Sequence, residues 1–206
     1  TPGSEGDAGE DVNANVNIRL TGAGSQWTGN AYASAPEGVT TTNVKGMNVA
    51  LINGAQWNPT LVEGLDPHGN PASVQSINIF EFSDGVINLS ETGAQTVAVE
   101  KTTGTGGAVK LHTKVAKDGS MRSGSVDFGT VAEDMQFDVE YTGITADDVN
   151  GASLSDIEGG VTAQGGKSVA QTKMVRQGAV LGTLIETYDE NGNMTSRTQA
   201  DNTRLT

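Results

Sequence analysis

The sequence predicts an all-β protein, built as a β-barrel or sandwich with a smaller β-region beside it and long Gly/Asn-rich loops. Three observations support this fold class. Short stretches of alternating apolar and polar residues recur, which is the periodicity of a strand with one buried face. Turn-forming residues separate these stretches, and the 28 glycines indicate many turns and bulges. Only 4% of residues are aromatic, so the core must be mainly aliphatic.

The first half of the chain contains three candidate strands. In the first, apolar residues alternate from Val12 to Leu20. Residues 21–46 read as long loops with at most one short strand. The second strand starts at Met47 and runs into an Asn53-Gly54 turn. Prolines exclude an uninterrupted helix or central strand over residues 54–71. The third strand follows this segment and carries Val74, Ile77, Ile79, Phe80 and Phe82.

Three further strands are expected in the middle of the chain. They cover residues 96–99, 109–115 and 137–141, with loops at 104–107 and 117–125. Alternation predicts that one face of the last two strands points into the core. The residues on that face are Val109, Leu111, Thr113, Val115, Phe137, Val139 and Tyr141.

A hairpin is predicted near the carboxyl end. Residues 183–188 are rich in β-branched and aromatic side chains, which favour a strand. Residues 189–193 (DENGN) tolerate positive φ, and residues 194–198 lead away from the turn. We therefore expect three parts: a flexible lead-in at 1–11, a main β-domain at 12–143, and a smaller β-region at 144–206 that contains this hairpin. The polar start at Thr1 and the lack of a secretory leader suggest a fragment of a longer protein.

The charge balance limits the classes of partner. The net charge is −13, from 25 acidic and 12 basic residues. Binding to nucleic acid or to an anionic membrane surface needs a basic surface, and none is visible in the sequence. The chain has no cysteine, so it has no thiol nucleophile or thiolate metal site. A protein without disulfides is still compatible with an extracellular location.

The sequence predicts no catalytic residue, no cofactor site and no metal site. Residues 159–168 (GGVTAQGGKS) resemble a phosphate-binding loop, but Val161 stands where that motif needs its first glycine, which favours a flexible loop. Asp189, Asn191 and Asn193 have the spacing of calcium ligands. Met194 and Ala200 occupy the places of the required glycine and glutamate, so a hairpin turn is the better interpretation.

The remaining polar candidates are assigned to solvated or turn positions. The acidic residues near the amino end and Asp147-Asp148 are assigned to solvent-exposed loops. His68 follows a proline in a turn, and His112 lies on the polar face of a strand, so the two histidines form neither a triad nor a zinc site. Trp27 and Trp57 are expected in the core, with a partner-facing role as the alternative.

Four stretches resemble bacterial flagellar hook proteins, in the order found in that family. They are residues 14–22 (ANVNIRLTG), the turn with Asp66, Gly69 and Asn70, residues 137–143 (FDVEYTG), and residues 178–205 with the hairpin. The resemblance implies that residues 12–143 are an outer hook domain and that residues 144–206 are part of the inner β-domain.

The resemblance also implies a function. Hook subunits polymerise into a flexible universal joint that transmits motor torque to the filament. Partners would be copies of the chain in a helical tube and other flagellar axial proteins, outside the cell, after export without a cleaved signal peptide. Such a subunit is not an enzyme.

Two other classes stay open. A fimbrial or phage-tail structural or adhesive β module would share the composition and the Gly/Asn turns. A carbohydrate-active enzyme would need two carboxylates about 5–10 Å apart at a cleft.

Overall fold

The computed structural model describes residues 16–31, 47–59, 74–90, 96–132, 135–144, 156–164, 169–177, 179–189, 191 and 193–201. These residues form twelve strands and confirm the all-β fold class. The strands are β1 (Asn17–Thr21), β2 (Gln26–Thr28), β3 (Met47–Ile52), β4 (Gln56–Asn58), β5 (Val74–Leu89), β6 (Thr96–Val115), β7 (Met121–Val131), β8 (Met135–Thr142), β9 (Ile157–Gln164), β10 (Val169–Gln177), β11 (Ala179–Tyr188) and β12 (Met194–Asp201). The predicted lead-in and the Asp66–Asn70 turn lie outside the described residues.

Most neighbouring strands run parallel. The main path is β1-β3-β5-β6-β8-β10-β11-β12, and it is parallel as far as β10. The last two pairings, β10 with β11 and β11 with β12, are antiparallel. Barrels and sandwiches are usually built from hairpins, whose neighbours are antiparallel. Parallel neighbours need a crossover that returns the chain to the same end of the sheet. Hairpins therefore cannot connect the parallel strands of this protein.

The crossover is made by a second row of strands, so the chain winds in stacked coils. In the first row, Asn17 lies opposite Asn48, 31 residues later. In the second row, β2, β4 and residues 86–87 of β5 lie side by side at a spacing of about 30 residues. Later coils continue both rows: residues 125–131 of β7 and then β9 extend the first row, and β8 and then β10 extend the second. As far as β10, each turn of the chain thus adds one strand or strand segment to each row.

Strands β5 and β6 contribute to both rows because each bends at a corner. Asp84 in β5 has φ 55°, and Gly104 and Gly106 in β6 have φ 103° and 100°. Residues 104–107, predicted as a loop, therefore lie inside β6. The prediction was wrong because glycine serves equally for a loop and for a place where two backbones approach closely.

The corners are stacked like the strands. The N–H of Gly22 donates to the carbonyl of Ile52 at 2.9 Å, and the N–H of Gly54 donates to the carbonyl of Asp84 at 2.6 Å. The predicted Asn53-Gly54 turn is confirmed, with φ 54° and 87°. Backbone hydrogen bonds between coils therefore continue around the bend.

Strand β7 has two kinds of neighbour. Its first residues, 121–123, pair antiparallel with residues 113–115 of β6. Residues 125–131 lie beside residues 96–102 of β6, and the residue numbers of both segments rise in the same direction. The loop predicted at 117–125 is therefore shorter, because β7 begins at Met121. Strand β9 then stacks in parallel on β7.

The core lies between the two rows. Its centre is a stack of four phenylalanine rings, in which Phe128 of the first row and Phe137 of the second are 4.3 Å apart between centroids. Phe80 and Phe82 complete the stack. Six of the seven predicted inward positions in β6 and β8 are buried: Val109, Leu111, Thr113, Phe137, Val139 and Tyr141.

The prediction for Val115 was wrong. This residue is 37% exposed, because it lies at the end of β6 that pairs with β7 in a hairpin beyond the stack. Alternation alone does not show where a strand leaves the core.

The predicted carboxyl-side hairpin is confirmed. Strands β11 and β12 pair antiparallel, and Tyr188 lies opposite Met194 across the turn. The Asp189 carboxylate accepts hydrogen bonds from the backbone N–H of Asn191 at 2.9 Å and of Asn193 at 2.8 Å. The turn residues act through backbone hydrogen bonds, which agrees with the preference for a turn over a calcium loop.

This turn carries a testable pH dependence. The backbone N–H of Asn193, and next its side-chain amide, hold the pKa of Asp189 below its ordinary value of 3.8. A carboxylate with a lowered folded-state pKa stabilises the hairpin at pH values above the unfolded pKa, and the effect is lost as pH falls through the folded pKa. NMR titration of the Asp189 carboxyl carbon should give a midpoint lower than the same carbon gives in the urea-unfolded chain. Equal midpoints in the two states would contradict the assignment.

The sheet is continuous across residue 143, where the boundary between the two predicted β-domains falls. Strand β8, before this point, pairs in parallel with β10, after it, and β7 pairs with β9 in the same way. The division into an outer and an inner domain stays a prediction.

Candidate functional site

The first coil (residues 17–28) and the second coil (residues 48–58) carry identical Asn, Leu, Gln and Trp residues at equivalent places. Residues 17–20 (NIRL) lie beside residues 48–51 (NVAL), and residues 26–28 (QWT) lie beside residues 56–58 (QWN). Asn48 donates through Nδ2 to Oδ1 of Asn17 at 2.9 Å, and the rings of Trp27 and Trp57 stack at 5.2 Å with 10° between their planes. Like side chains therefore form ladders across the coils.

The indole nitrogen of Trp57 ties the second coil to the first. Its Nε1–H donates to the carbonyl of Gly29 at 2.9 Å, and the N–H of Gly29 donates to the carbonyl of Asn58 at 3.2 Å. Trp57 is fully buried, as predicted, with 0% exposure. The acceptor lies two residues beyond the tryptophan of the preceding coil.

Among the described strands, the first coil lies at one end of the stack, and we call its outer side the end face. The end face comprises the side chains of Ile18, Leu20 and Trp27 and the outer backbone edge of Asn17 and Arg19. Within the described part of the chain, β1 has β3 as its neighbour on one side and no strand on the other. Similarly, β2 pairs with β4 alone among the described strands.

Residues of the end face have the character of core residues. Leu20 and Trp27 are partly buried and pack against the core cluster. The equivalent residues of the second coil, Leu51 and Trp57, are both 0% exposed. The difference arises because the second coil is covered on both sides. The first coil thus has the side chains of an interior repeat and the exposure of a terminal one.

Backbone groups of β1 alternate in direction. The carbonyl of Val16 accepts from the N–H of Asn48 at 2.8 Å, and Gly22 N–H donates to the carbonyl of Ile52. N–H and C=O of one residue point to the same side of a strand, and successive residues alternate. The backbone groups of Asn17 and Arg19 therefore point away from β3, towards the open edge.

The solvent-facing side of the first row carries an ion pair and a shallow cleft. Arg19 Nη1 lies 2.6 Å from Glu81 Oε2, with the two side chains 62% and 40% exposed. Exposed pairs of this kind contribute about 0–1 kcal/mol. The cleft beneath them has a volume of about 210 Å³ and is lined in part by Ala50 and Ile79. It is smaller than the usual range of small-molecule sites, roughly 300–1,000 Å³.

The other sequence candidates fall in structural positions. The segment 159–164 forms most of β9, so the expectation of a flexible loop was wrong there; residues 165–168 lie outside the described residues. Gly159 and Gly160 adopt φ 97° and 109°, and a Cβ on Gly159 would lie 2.5 Å from the carbonyl oxygen of Ser123 in the neighbouring strand. His112 is partly buried in β6, and His68 and Asp147-Asp148 lie outside the described residues.

No group of three or more His, Asp or Glu side chains among the described residues is arranged to hold a metal ion. No helix in the described part of the chain has the length and apolar character that crossing a membrane requires.

Comparisons with known proteins found no matching protein family, no matching curated protein and no matching solved structure.

Sequence reasoning did not find the end face, although a signal for it was present. The pattern Asn-apolar-x-Leu followed by Gln-Trp occurs twice, at a spacing of 30 to 31 residues. A repeat of this length is typical of stacked coils. Strand alternation shows which side chains face inwards, but it does not show that the same side chains stack on each other.

Proposed function

We propose that the chain is a structural or adhesive β module of an extracellular assembly, of the kind found in fimbriae or phage tails. The observation that carries the proposal is the unbroken ladder of parallel strands from β1 to β10. In such a stack each coil presents its side chains in line with those of the next coil, which produces an extended, regular surface. Extended surfaces of this type suit attachment to a target and the spacing of other parts of an assembly.

The ladders of identical side chains support a mechanical role. The Trp27–Trp57 stack and the Asn17–Asn48 hydrogen bond each join two coils through side chains, in addition to the backbone. Aromatic pairs contribute about 0.5–1.5 kcal/mol beyond burial. Their contribution holds neighbouring coils in register.

A flagellar hook subunit is the second candidate. In its favour, the hairpin of β11 and β12 has formed where the resemblance to hook proteins places one. On this proposal the chain would polymerise with copies of itself into a flexible torque-transmitting tube. The continuity of the sheet across residue 143 fits two separate domains less well, which is why we rank the hook second.

Immunogold electron microscopy with an antibody against this chain would separate the candidates in the organism that encodes it. Label along thin surface fibres or on phage tails would support the first proposal. Label confined to a short curved segment between cell body and filament would support the hook. Label restricted to the cell interior would overturn both.

A further inference from the structure

We propose that Asn53 is a spontaneous modification site, at which the stacking of the coils holds back conversion to isoaspartate until the corner at Asn53-Gly54 opens. The inference rests on the geometry of this corner and on the chemistry of the Asn-Gly pair. It therefore applies in whichever assembly the chain works.

An asparagine followed by glycine can lose its side-chain amide without an enzyme, because glycine has no Cβ to shield its backbone nitrogen. The nitrogen of Gly54 bonds to Cγ of Asn53, the bond from Cγ to the side-chain nitrogen breaks, and ammonia leaves with the proton of the Gly54 N–H. Water then opens the five-membered imide ring at either carbonyl. One product is aspartate. The other is isoaspartate, whose main chain runs through Cβ and Cγ.

The two reacting groups of this pair differ in their surroundings. Asn53 is exposed, so water reaches the group that it must attack in the second step. The nitrogen of Gly54 is engaged, because its N–H donates to the carbonyl of Asp84 in the next coil at 2.6 Å. This hydrogen bond must break before the nitrogen can lose its proton and turn towards Cγ. The nucleophile is therefore the protected partner.

The corner is also fixed against the first coil. The N–H of Gln56 donates to the carbonyl of Ser25 at 2.9 Å, and the carbonyl of Ile52 accepts from the N–H of Gly22. A Cβ on Gly54 would lie 3.1 Å from Cα of Ala23, so the backbones of the two corners are close. Contacts on both sides hold the corner in place, and the reaction requires a local opening of the stack.

The isoaspartyl product does not fit the corner from which it forms. It lengthens the main chain by one C–C bond, about 1.5 Å, and it turns the backbone carbonyl of Asn53 into a free carboxylate. Ile52 and Gln56, on either side, are both hydrogen-bonded to the first coil. A longer connection cannot keep both of them in register. Modification therefore holds the corner open and leaves a permanent record of the opening.

The first test compares rates in the full chain at neutral pH. Mass spectrometry of the peptide that contains Asn53 measures isoaspartate formation, and NMR measures hydrogen exchange of the Gly54 N–H. We expect formation to be at least about tenfold slower in the folded chain than in the urea-unfolded chain. Sub-denaturing urea should raise both rates together, because one opening frees the same nitrogen. Equal rates in the two states, or formation that does not follow Gly54 exchange, would overturn the proposal.

The second test measures what the product does to the stack. The chain is aged unfolded and refolded, in a variant with Asn150→Gln and Asn191→Gln that removes its two other Asn-Gly pairs. Asn53→Asp in the same variant is the matched control, since it adds the charge without the extra bond. We expect isoaspartate to speed exchange at the Gln56 amide at least about tenfold, and the control to leave it within about twofold. Equal exchange in the two chains would contradict the proposed misfit.

Discussion

Replacing Gly106 with alanine is expected to destabilise the protein by about 3–5 kcal/mol. Gly106 has φ 100°, a conformation that costs a residue with a Cβ about 1–3 kcal/mol. In addition, the new Cβ would overlap the backbone carbonyl of Gln136 in the next coil. That carbonyl belongs to the ladder between β6 and β8, so the two coils would have to separate.

Gly119→Ala is the matched control. Gly119 also has a positive φ, 85°, but a Cβ placed there meets nothing within 4 Å. Its cost should be the backbone strain alone, about 1–2 kcal/mol. Urea denaturation followed by circular dichroism measures both variants. Equal losses of stability would show that the contact with Gln136 is not part of the effect.

Phe128→Ala should cost about 3–5 kcal/mol, since the ring is 0% exposed and its removal leaves a cavity between the rows. Phe128 contacts the rings of Phe80, Phe82 and Phe137, with centroids 6.1, 5.5 and 4.3 Å away. Ile79→Ala is a suitable control because Ile79 is 44% exposed on the opposite side of the sheet. It should cost less than about 1 kcal/mol.

A double-mutant cycle tests whether the stack of rings stabilises the protein beyond burial. The cycle replaces Phe128 and Phe137, singly and together, with leucine, which preserves most of the buried volume. We expect a coupling free energy of about 0.5–1.5 kcal/mol between the two positions. Additive effects would mean that the rings contribute as separate apolar groups.

Local features of this protein could be predicted from its sequence because they depend on neighbouring residues. Alternation identified the buried face of β8, and the turn chemistry of Asp189 identified the hairpin. The pairing of strands depends on residues far apart, and alternation is the same in parallel and antiparallel sheets. For that reason the stacked coils were not predicted.

Glycine was the other source of error. Gly104, Gly106, Gly159 and Gly160 were assigned to loops, yet they lie within strands at positive φ. A glycine-rich segment indicates either a loop or a close contact between backbones, and only the contact itself distinguishes them. The end face escaped prediction for a related reason: Trp27 and Trp57 share one sequence context, and their difference in exposure arises from position in the stack.

The winding of the chain also determines the order in which its parts open. In the first coils, each turn touches the turn before it and the turn after it, so cooperativity passes along the axis from neighbour to neighbour. Strands β1 and β2, with one such neighbour each among the described strands, should fray first, and fluctuations should diminish towards β6, which contacts three strands. Among the described strands, thermal opening would then begin at β1 and β2 and spread towards β6.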